Sequence, residues 1–310
     1  MGPLAIVSNT LKATRAGVSF LSATQGVSSG LLFRAPFSRS YSARMDDQNS
    51  RAPSRPISEA EAAAARSLEP RLKDHLQINS DVYNFVGLVL DGVPDTRLRD
   101  VTQARKVTSC LLVRIANDLR CIGVVSVHGY ADQACALAAS VYEAAFAAMA
   151  IGEEETLAQE WIDHSDPNRP FKSVRKLTLM GMQRLGIPEP ERQAKRWYVH
   201  YSQLCMAKHM NPLIQTTRGF RIEQNQILVV TGPDTTEESV RLAWFALEHS
   251  AGFALTAAGF FSQKYVQQSN QKELAAQSRE LHEALGKLRD AAVARGWDKN
   301  PFPNHWKIDR

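Results

Sequence analysis

Residues 196–212 concentrate side chains that could bind a ligand or transfer a proton. Tyr201, Cys205 and His209 follow one another at intervals of four residues, so a helix would place all three on one face. A cysteine and a histidine one turn apart can offer two metal ligands, but a metal site needs further ligands. The sequence supplies hardly any other ligand pair with this spacing, so we expect neither a metal nor a cofactor. Two interpretations of this face remain, a buried histidine that bonds a neighbouring helix or a polar pocket.

Glu143 is a second candidate, because it is the one acidic residue in the otherwise apolar run 141–151. An unpaired buried charge is strongly destabilising, so this carboxylate must either find a partner or face solvent. The partners that could serve are His209, Lys208 and Arg114. A buried Glu143 would have a perturbed pKa, as groups in functional sites often do. The other interpretation places it on the solvent side of an amphipathic helix.

The candidate catalytic residues are therefore Glu143 and His209, acting as an acid/base pair. We expect them to lie within reach of each other, directly or through Tyr201 or Lys208, because a carboxylate and an imidazole each stabilise the other's charged form. The candidates for a ligand pocket around this pair are Tyr201, Cys205, Lys208, Asn211 and Arg114.

The sequence lacks the short motifs that identify common enzyme classes. It has no P-loop, no G-x-G-x-x-G, no H-E-x-x-H and no G-x-S-x-G, which removes the simplest nucleotide-binding, zinc-protease and hydrolase interpretations. The four cysteines form no C-x-x-C pair, and we expect buried thiols in a reducing compartment.

The net charge of +5 comes from the first part of the chain. Residues 1–45 hold five of the 37 basic residues and none of the 32 acidic ones, so the body from Asp46 onward is formally neutral. Binding to phosphates normally needs a cluster of Lys or Arg. We therefore expect no nucleic-acid partner for the body and leave a protein or small-molecule partner open, together with a homodimer.

Residues 1–56 have the composition of a leader and linker. The first 45 residues form an amphipathic pattern rich in Ser and Arg, as in organellar transit peptides, and residues 39–43 resemble a mitochondrial processing site. The alternative is that Met45 is the true start. The predicted location is the mitochondrial matrix if the leader is genuine, or the cytoplasm of a bacterium if the chain starts at Met45. We expect residues 1–56 to be disordered and residues 57–310 to form a single α-helical domain.

Helical periodicity dominates the chain from Ser58, which has the spacing of a capping box with Glu61. The pattern predicts a helix there and others over residues 71–90, about 94–127, 131–151, 153–164, 171–184, 191–210, 234–267 and 273–295. Residues 219–223 and 226–230 suit a short strand pair around Gln224–Asn225. The predicted fold is an all-α helical bundle with a small β-hairpin insert.

Residues 240–261 are the nearest candidate for a membrane span. They carry Arg241, Glu248 and His249, and each charge at a bilayer centre costs roughly 2.5 kcal/mol or more. We therefore predict a buried core helix in this segment and no membrane span.

Several short motifs appear in a characteristic order: Leu-x-Cys-Ile-Gly-Val-Val over residues 119–125, a turn at His128–Gly129, Ala-Ser-Val-Tyr-Glu over 139–143, Tyr201, Lys208–His209 and Asn211–Pro212. In this order they resemble a bacterial family of all-helical proteins distantly related to HEPN domains, over roughly residues 70–266. That family usually reads Arg-Ser-x-x-Glu in its second helix. This chain keeps Glu143 but has Ala139 in the position of the Arg.

The resemblance implies the fold and not a ribonuclease activity. HEPN ribonucleases carry an Arg, four to six residues and then a His on one helix, and no histidine of this chain has an Arg at that distance. We therefore expect a helical binding or regulatory module for an unknown protein or small ligand, HEPN-like without the ribonuclease motif. The alternative is an enzyme that uses Glu143 and His209 as an acid/base pair on RNA or a nucleotide.

Overall fold

The computed structural model of the protein describes residues 56–94, 96–166, 169–208, 220–223, 226–229 and 232–297. Within these residues lie eight α-helices and a short 3-10 turn at Leu98–Asp100. The helices are α1 (Ile57–Asp91), α2 (Gln103–Val127), α3 (Ala131–Ile151), α4 (Glu155–Ile162), α5 (Val174–Arg184), α6 (Pro190–Lys208), α7 (Glu237–Tyr265) and α8 (Gln268–Ala294). The predicted all-α helical bundle is confirmed.

Helix α3 lies at the centre of the bundle and contacts α2, α4, α5, α6 and α7. Fifteen of its 21 residues are buried, and many of these are alanines. Small side chains allow the backbones of neighbouring helices to approach closely, so α3 can be enclosed on several sides. Helix α7 forms the second layer of the core and packs on α1, α2, α3 and α8.

Helix α1 is continuous through Pro70, where the sequence suggested two separate helices. A proline inside a helix removes one backbone hydrogen bond and costs about 3 kcal/mol. Leu68 and Leu72, on either side of Pro70, are both fully buried in the same core, and this burial offsets the loss. The predicted capping box is also wrong, because α1 begins after Pro56 without a side-chain cap.

Helix α2 begins at Gln103, nine residues later than the predicted start near Pro94. The Thr102 side chain accepts a hydrogen bond from the backbone N–H of Arg105, and Glu155 of α4 accepts from the N–H groups of the first two α2 residues at 2.9 and 3.0 Å. These groups satisfy donors that a helix leaves free at its N-terminus. The sequence contains this cap, but Pro94 is the earlier and more conspicuous signal.

Two short strands pair antiparallel, β1 (Phe220–Glu223) and β2 (Gln226–Val229). Phe220 lies opposite Val229, and Glu223 lies opposite Gln226. The turn at residues 224–225 lies outside the described residues. The hairpin as a complete insert therefore stays a prediction.

Within the part of the chain that the structure describes, α3 is the one helix that is long and apolar enough to cross a membrane. The sequence-based choice of residues 240–261, in α7, as the nearest candidate for a membrane span was therefore wrong. Of the apolar window in α3, 78% is buried inside the protein. A helix enclosed by other helices in this way fits a core element, in agreement with the expectation of no membrane span.

The turn between α2 and α3 depends on Gly129. Its φ is +85°, a conformation that side chains with a Cβ rarely adopt. Its carbonyl accepts a hydrogen bond of 2.9 Å from the N–H of Asp234, in the segment before α7. A Cβ on Gly129 would lie 2.9 Å from that nitrogen and 3.0 Å from the Pro233 Cβ.

We expect Gly129→Ala to destabilise the protein by about 2–4 kcal/mol, because backbone strain and steric overlap act together. Gly286→Ala in α8 is the matched control, since a Cβ there meets nothing within 4 Å. The control should stabilise the protein by about 0.5–1 kcal/mol through helix propensity. Urea denaturation measures both changes, and equal effects of the two variants would contradict the role of Gly129.

Candidate functional site

Glu143 lies where α3 faces α6. Its Oε1 accepts a hydrogen bond of 2.7 Å from the Tyr201 hydroxyl and one of 2.6 Å from Lys208 Nζ. The Glu143 and Lys208 side chains are 33% and 31% exposed, so this ion pair lies at the edge of the core. Glu143 is thus neither fully buried nor free in solvent, and it joins two helices.

Aromatic stacking holds Tyr201 in this position. Its ring stacks on Tyr142, with centroids 4.9 Å apart and planes 27° from parallel. The Tyr142 hydroxyl in turn hydrogen-bonds Thr178 Oγ1 of α5 at 2.8 Å. The cluster around Glu143 is therefore oriented by three helices, α3, α5 and α6.

The raised pKa values of Tyr201 and Cys205 favour a structural role for this cluster over a catalytic one. Burial raises the pKa of the Tyr201 hydroxyl, and its hydrogen bonds to Cys205 and Glu143 raise that pKa further. Burial also raises the pKa of the Cys205 thiol. Tyr201 is thus a hydrogen-bond donor at neutral pH, and Cys205 does not present the thiolate that a nucleophile requires.

The structure describes only some of the other candidate residues. Arg114 of α2 donates to Asp118 at 2.8 Å and to Ser140 Oγ at 3.2 Å, one turn before Glu143 on α3. His209 and Asn211 lie outside the described residues. The proposed Glu143–His209 pair therefore stays a prediction.

The cysteines differ from the expectation of buried thiols. Cys135 is buried and Cys205 is half-buried, but Cys110 and Cys121 are exposed on α2. The buried stripe of α2 runs through Leu111 and its neighbours one turn apart, and both exposed cysteines lie just beside that stripe. Among the described residues, no three His, Cys, Asp or Glu side chains are grouped to hold a metal ion.

A pair of partly buried histidines, which were not among the residues selected from the sequence, joins α6 to α7. His249 Nδ1 lies 2.9 Å from the Phe245 carbonyl oxygen, so this nitrogen carries the proton. His249 Nε2 is then the acceptor for His200 Nδ1, 3.2 Å away. Burial lowers the pKa of His200 to about 3 and that of His249 to about 4, which keeps both rings neutral at pH 7.

The neighbouring Glu248 is only 1% exposed. Its Oε1 accepts a hydrogen bond of 2.6 Å from Arg289 Nε, and Arg289 Nη2 lies 2.5 Å from the same oxygen. A buried carboxylate requires such a partner, because removal of either member leaves an uncompensated charge. This ion pair fastens α8 to α7.

A cleft of about 530 Å³ lies between α1, the start of α7 and the end of α8. Its apolar lining comes from Pro70, Leu288, Ala291, Ala292 and Trp297. Its polar and charged lining comes from Arg71, Lys73, Asp74, His75, Glu237 and Arg295. This cleft was not predicted from the sequence, because its residues come from distant segments and none has the spacing of a motif.

His75 lines the cleft and is 8% exposed. Burial lowers its pKa to about 4, so the ring is neutral at pH 7. His75 packs edge-on against Trp244, with ring centroids 5.9 Å apart, and Trp244 in turn contacts Trp297. Both His75 Nε2 and Trp244 Nε1 are buried and have no hydrogen-bond partner among the residues that the structure describes. Buried polar atoms are nearly always paired, so the unsatisfied nitrogen of His75, a residue that lines the cleft, indicates a place for a bound group.

Comparison with known protein families, with curated proteins and with solved structures finds no significant match for the chain. The resemblance to HEPN-related helical proteins therefore stays a prediction from the sequence motifs. The site has to be interpreted from its own geometry.

We expect Glu143→Gln to destabilise the protein by about 1 kcal/mol, because Lys208 loses its counterion in a partly buried place. Glu153→Gln is the matched control, since the Glu153–Lys264 pair is more exposed. The control should change the free energy of unfolding by less than about 0.5 kcal/mol. Chemical denaturation compares them, and an unchanged Glu143→Gln variant would show that the cluster does not fasten α3 to α6.

We expect stability to fall as the pH drops below 6.5, because His75, His200 and His249 bind protons in the unfolded chain but not in the fold. This contribution is fully present above pH 6.5 and is lost toward pH 4. Each histidine contributes a slope of up to roughly 1.4 kcal/mol per pH unit. His200→Asn keeps a donor toward His249 and removes one titrating group, so it should flatten the slope between pH 6.5 and 4.5. The control variant His282→Asn, at an exposed position, should not flatten this slope. Equal slopes of stability against pH in both variants would contradict the assignment of the pH dependence to the three histidines.

Proposed function

We propose that the protein is a non-enzymatic helical binding module, HEPN-like without the ribonuclease motif, whose ligand occupies the cleft beside His75. The observation that carries the proposal is a cleft of about 530 Å³ lined by His75, whose buried Nε2 has no hydrogen-bond partner among the described residues. Small-molecule sites usually have volumes of about 300–1,000 Å³, with mostly apolar walls and a few fixed polar groups. The cleft has this size, and its walls are more polar, with six polar or charged residues among the eleven that line it.

Binding is favoured over catalysis by the state of the ionisable groups. His75 is neutral, with a pKa near 4, so it is poorly matched to acid/base catalysis at pH 7. A neutral imidazole can still donate a hydrogen bond from one ring nitrogen and accept a hydrogen bond at the other. A group of this kind orients a ligand without reacting with it.

The alternative, an enzyme that uses Glu143 and His209, has less support. Glu143 Oε1 already accepts hydrogen bonds from Tyr201 and Lys208, which hold the carboxylate in place between two helices. The Tyr201 and Cys205 pKa values are raised, so these neighbours stay protonated. Such an arrangement suits a stabilising contact between two helices better than a proton-transfer site.

The cleft can be tested by filling it. Ala291 is exposed and lines the cleft, so Ala291→Phe should obstruct the site without disturbing the core. Ala275→Phe, at an exposed position of α8 away from the cleft, is the matched control. We expect ligand-observed NMR with a library of small fragments to find molecules that bind the parent and the control but bind Ala291→Phe at least about tenfold more weakly, a difference of about 1.4 kcal/mol. A library in which no fragment distinguishes Ala291→Phe from the parent would contradict the proposal.

A further inference from the structure

The charges around the cleft are unevenly paired. Three basic and two acidic side chains line it. Arg71 is engaged, because it forms an ion pair with Glu237 and donates to the Thr235 carbonyl oxygen at 2.9 Å. This pair cancels one charge of each sign and leaves Lys73 and Arg295 against a single acid, Asp74.

Lys73 and Arg295 line the cleft from two different elements, one on α1 and the other directly after α8. Neither forms an ion pair with any residue that the structure describes. The Arg295 guanidinium lies over the Trp297 ring, 5.4 Å from its centroid, which orients its face on the aromatic surface. The N–H groups at the edge of a guanidinium donate hydrogen bonds to carboxylate or phosphate oxygens, which are its usual partners.

Another part of the cleft lining has a different chemistry. The ring of Trp297 and the side chains of Leu288 and Ala291 offer an apolar surface. Beside them lies the neutral His75, with Nε2 unsatisfied, and behind it the unsatisfied Trp244 N–H. The cleft thus combines an apolar wall with a rim that carries excess positive charge.

From this combination we infer that the ligand is a small organic anion, with an apolar, preferably aromatic, body against Trp297 and a carboxylate or phosphate group between Lys73 and Arg295. This inference rests on the proposed function, because it specifies the ligand class of the same cleft. Carboxylate and phosphate share the chemistry that the two cations recognise. The unsatisfied nitrogens then serve a hydroxyl, an amide or a water molecule that accompanies the ligand.

The test compares benzoate, phenyl phosphate, benzyl alcohol and benzylamine as probes of one body with different charges. Isothermal titration calorimetry of the full chain measures their affinities at low salt. Benzoate or phenyl phosphate should bind at least fivefold more tightly than benzyl alcohol, and benzylamine should bind most weakly. Whichever of the two anions binds more tightly identifies the preferred head group. Raising the salt concentration should weaken the anions and leave benzyl alcohol unchanged.

Variants that remove a positive or a negative charge from the cleft should change the affinity for benzoate in opposite directions. Lys73→Gln should weaken benzoate binding roughly fivefold, and Asp74→Asn should strengthen it by a factor of about three. Lys287→Gln, at an exposed position of α8 outside the cleft, is the control and should change nothing. Shifts of the same sign in Lys73→Gln and Asp74→Asn would overturn the inference.

Failure of this inference is distinguishable from failure of the proposed function. If fragments bind in a manner sensitive to Ala291→Phe but the anions bind no better than benzyl alcohol, the cleft is a ligand site and the anion inference is wrong. If no probe and no fragment responds to Ala291→Phe, both statements fail together. Anion binding that is unaffected by Ala291→Phe places the anion elsewhere and also overturns the inference.

Discussion

The enclosure of α3 is the constraint on which the rest of the structure depends. A helix with fifteen buried residues out of 21 needs partners on nearly every side, and five other helices supply them. Its alanines make this enclosure feasible because they let neighbouring backbones approach closely. Two other features follow from this enclosure. The turn at Gly129 sets the direction of α3. The contacts of Glu143 with α6 give its half-buried carboxylate two hydrogen-bond donors.

The same apolar interior decides the state of every ionisable group that it contains. Glu248 forms an ion pair with Arg289, whereas His200 and His249 stay neutral and bond to each other. These groups are satisfied, and they stabilise contacts between helices. The nitrogens of His75 and Trp244 are the contrasting case, because the fold buries them and no described residue is their hydrogen-bond partner. Of these two residues, His75 lines the cleft.

The parts of the fold with strong local signals could be predicted from the sequence. The bounds 131–151 of α3 match those of the structure, because Gly129 and Gly152 flank a long apolar run. The division of α1 at Pro70 was wrong, since buried leucines on both sides outweigh the local preference of proline, and no local pattern reports that burial. The contact of Glu143 with Tyr201 and Lys208 was within reach of sequence reasoning, because all three residues had been selected. The cleft was not, because α1 and the end of α8 meet only through tertiary packing.

Helix α8 is the least deeply anchored wall of the cleft. Four of its 27 residues are buried, and its ion pair with Glu248 is its main polar attachment to the core. Amide hydrogen exchange reports such differences, because a helix with little buried surface opens locally while the central helices remain closed. Each opening of α8 would separate Lys73 from Arg295 and dismantle the cleft. A molecule that holds these two cations together would therefore also slow the exchange of α8, so that occupancy of the cleft and closure of the last helix form a single equilibrium.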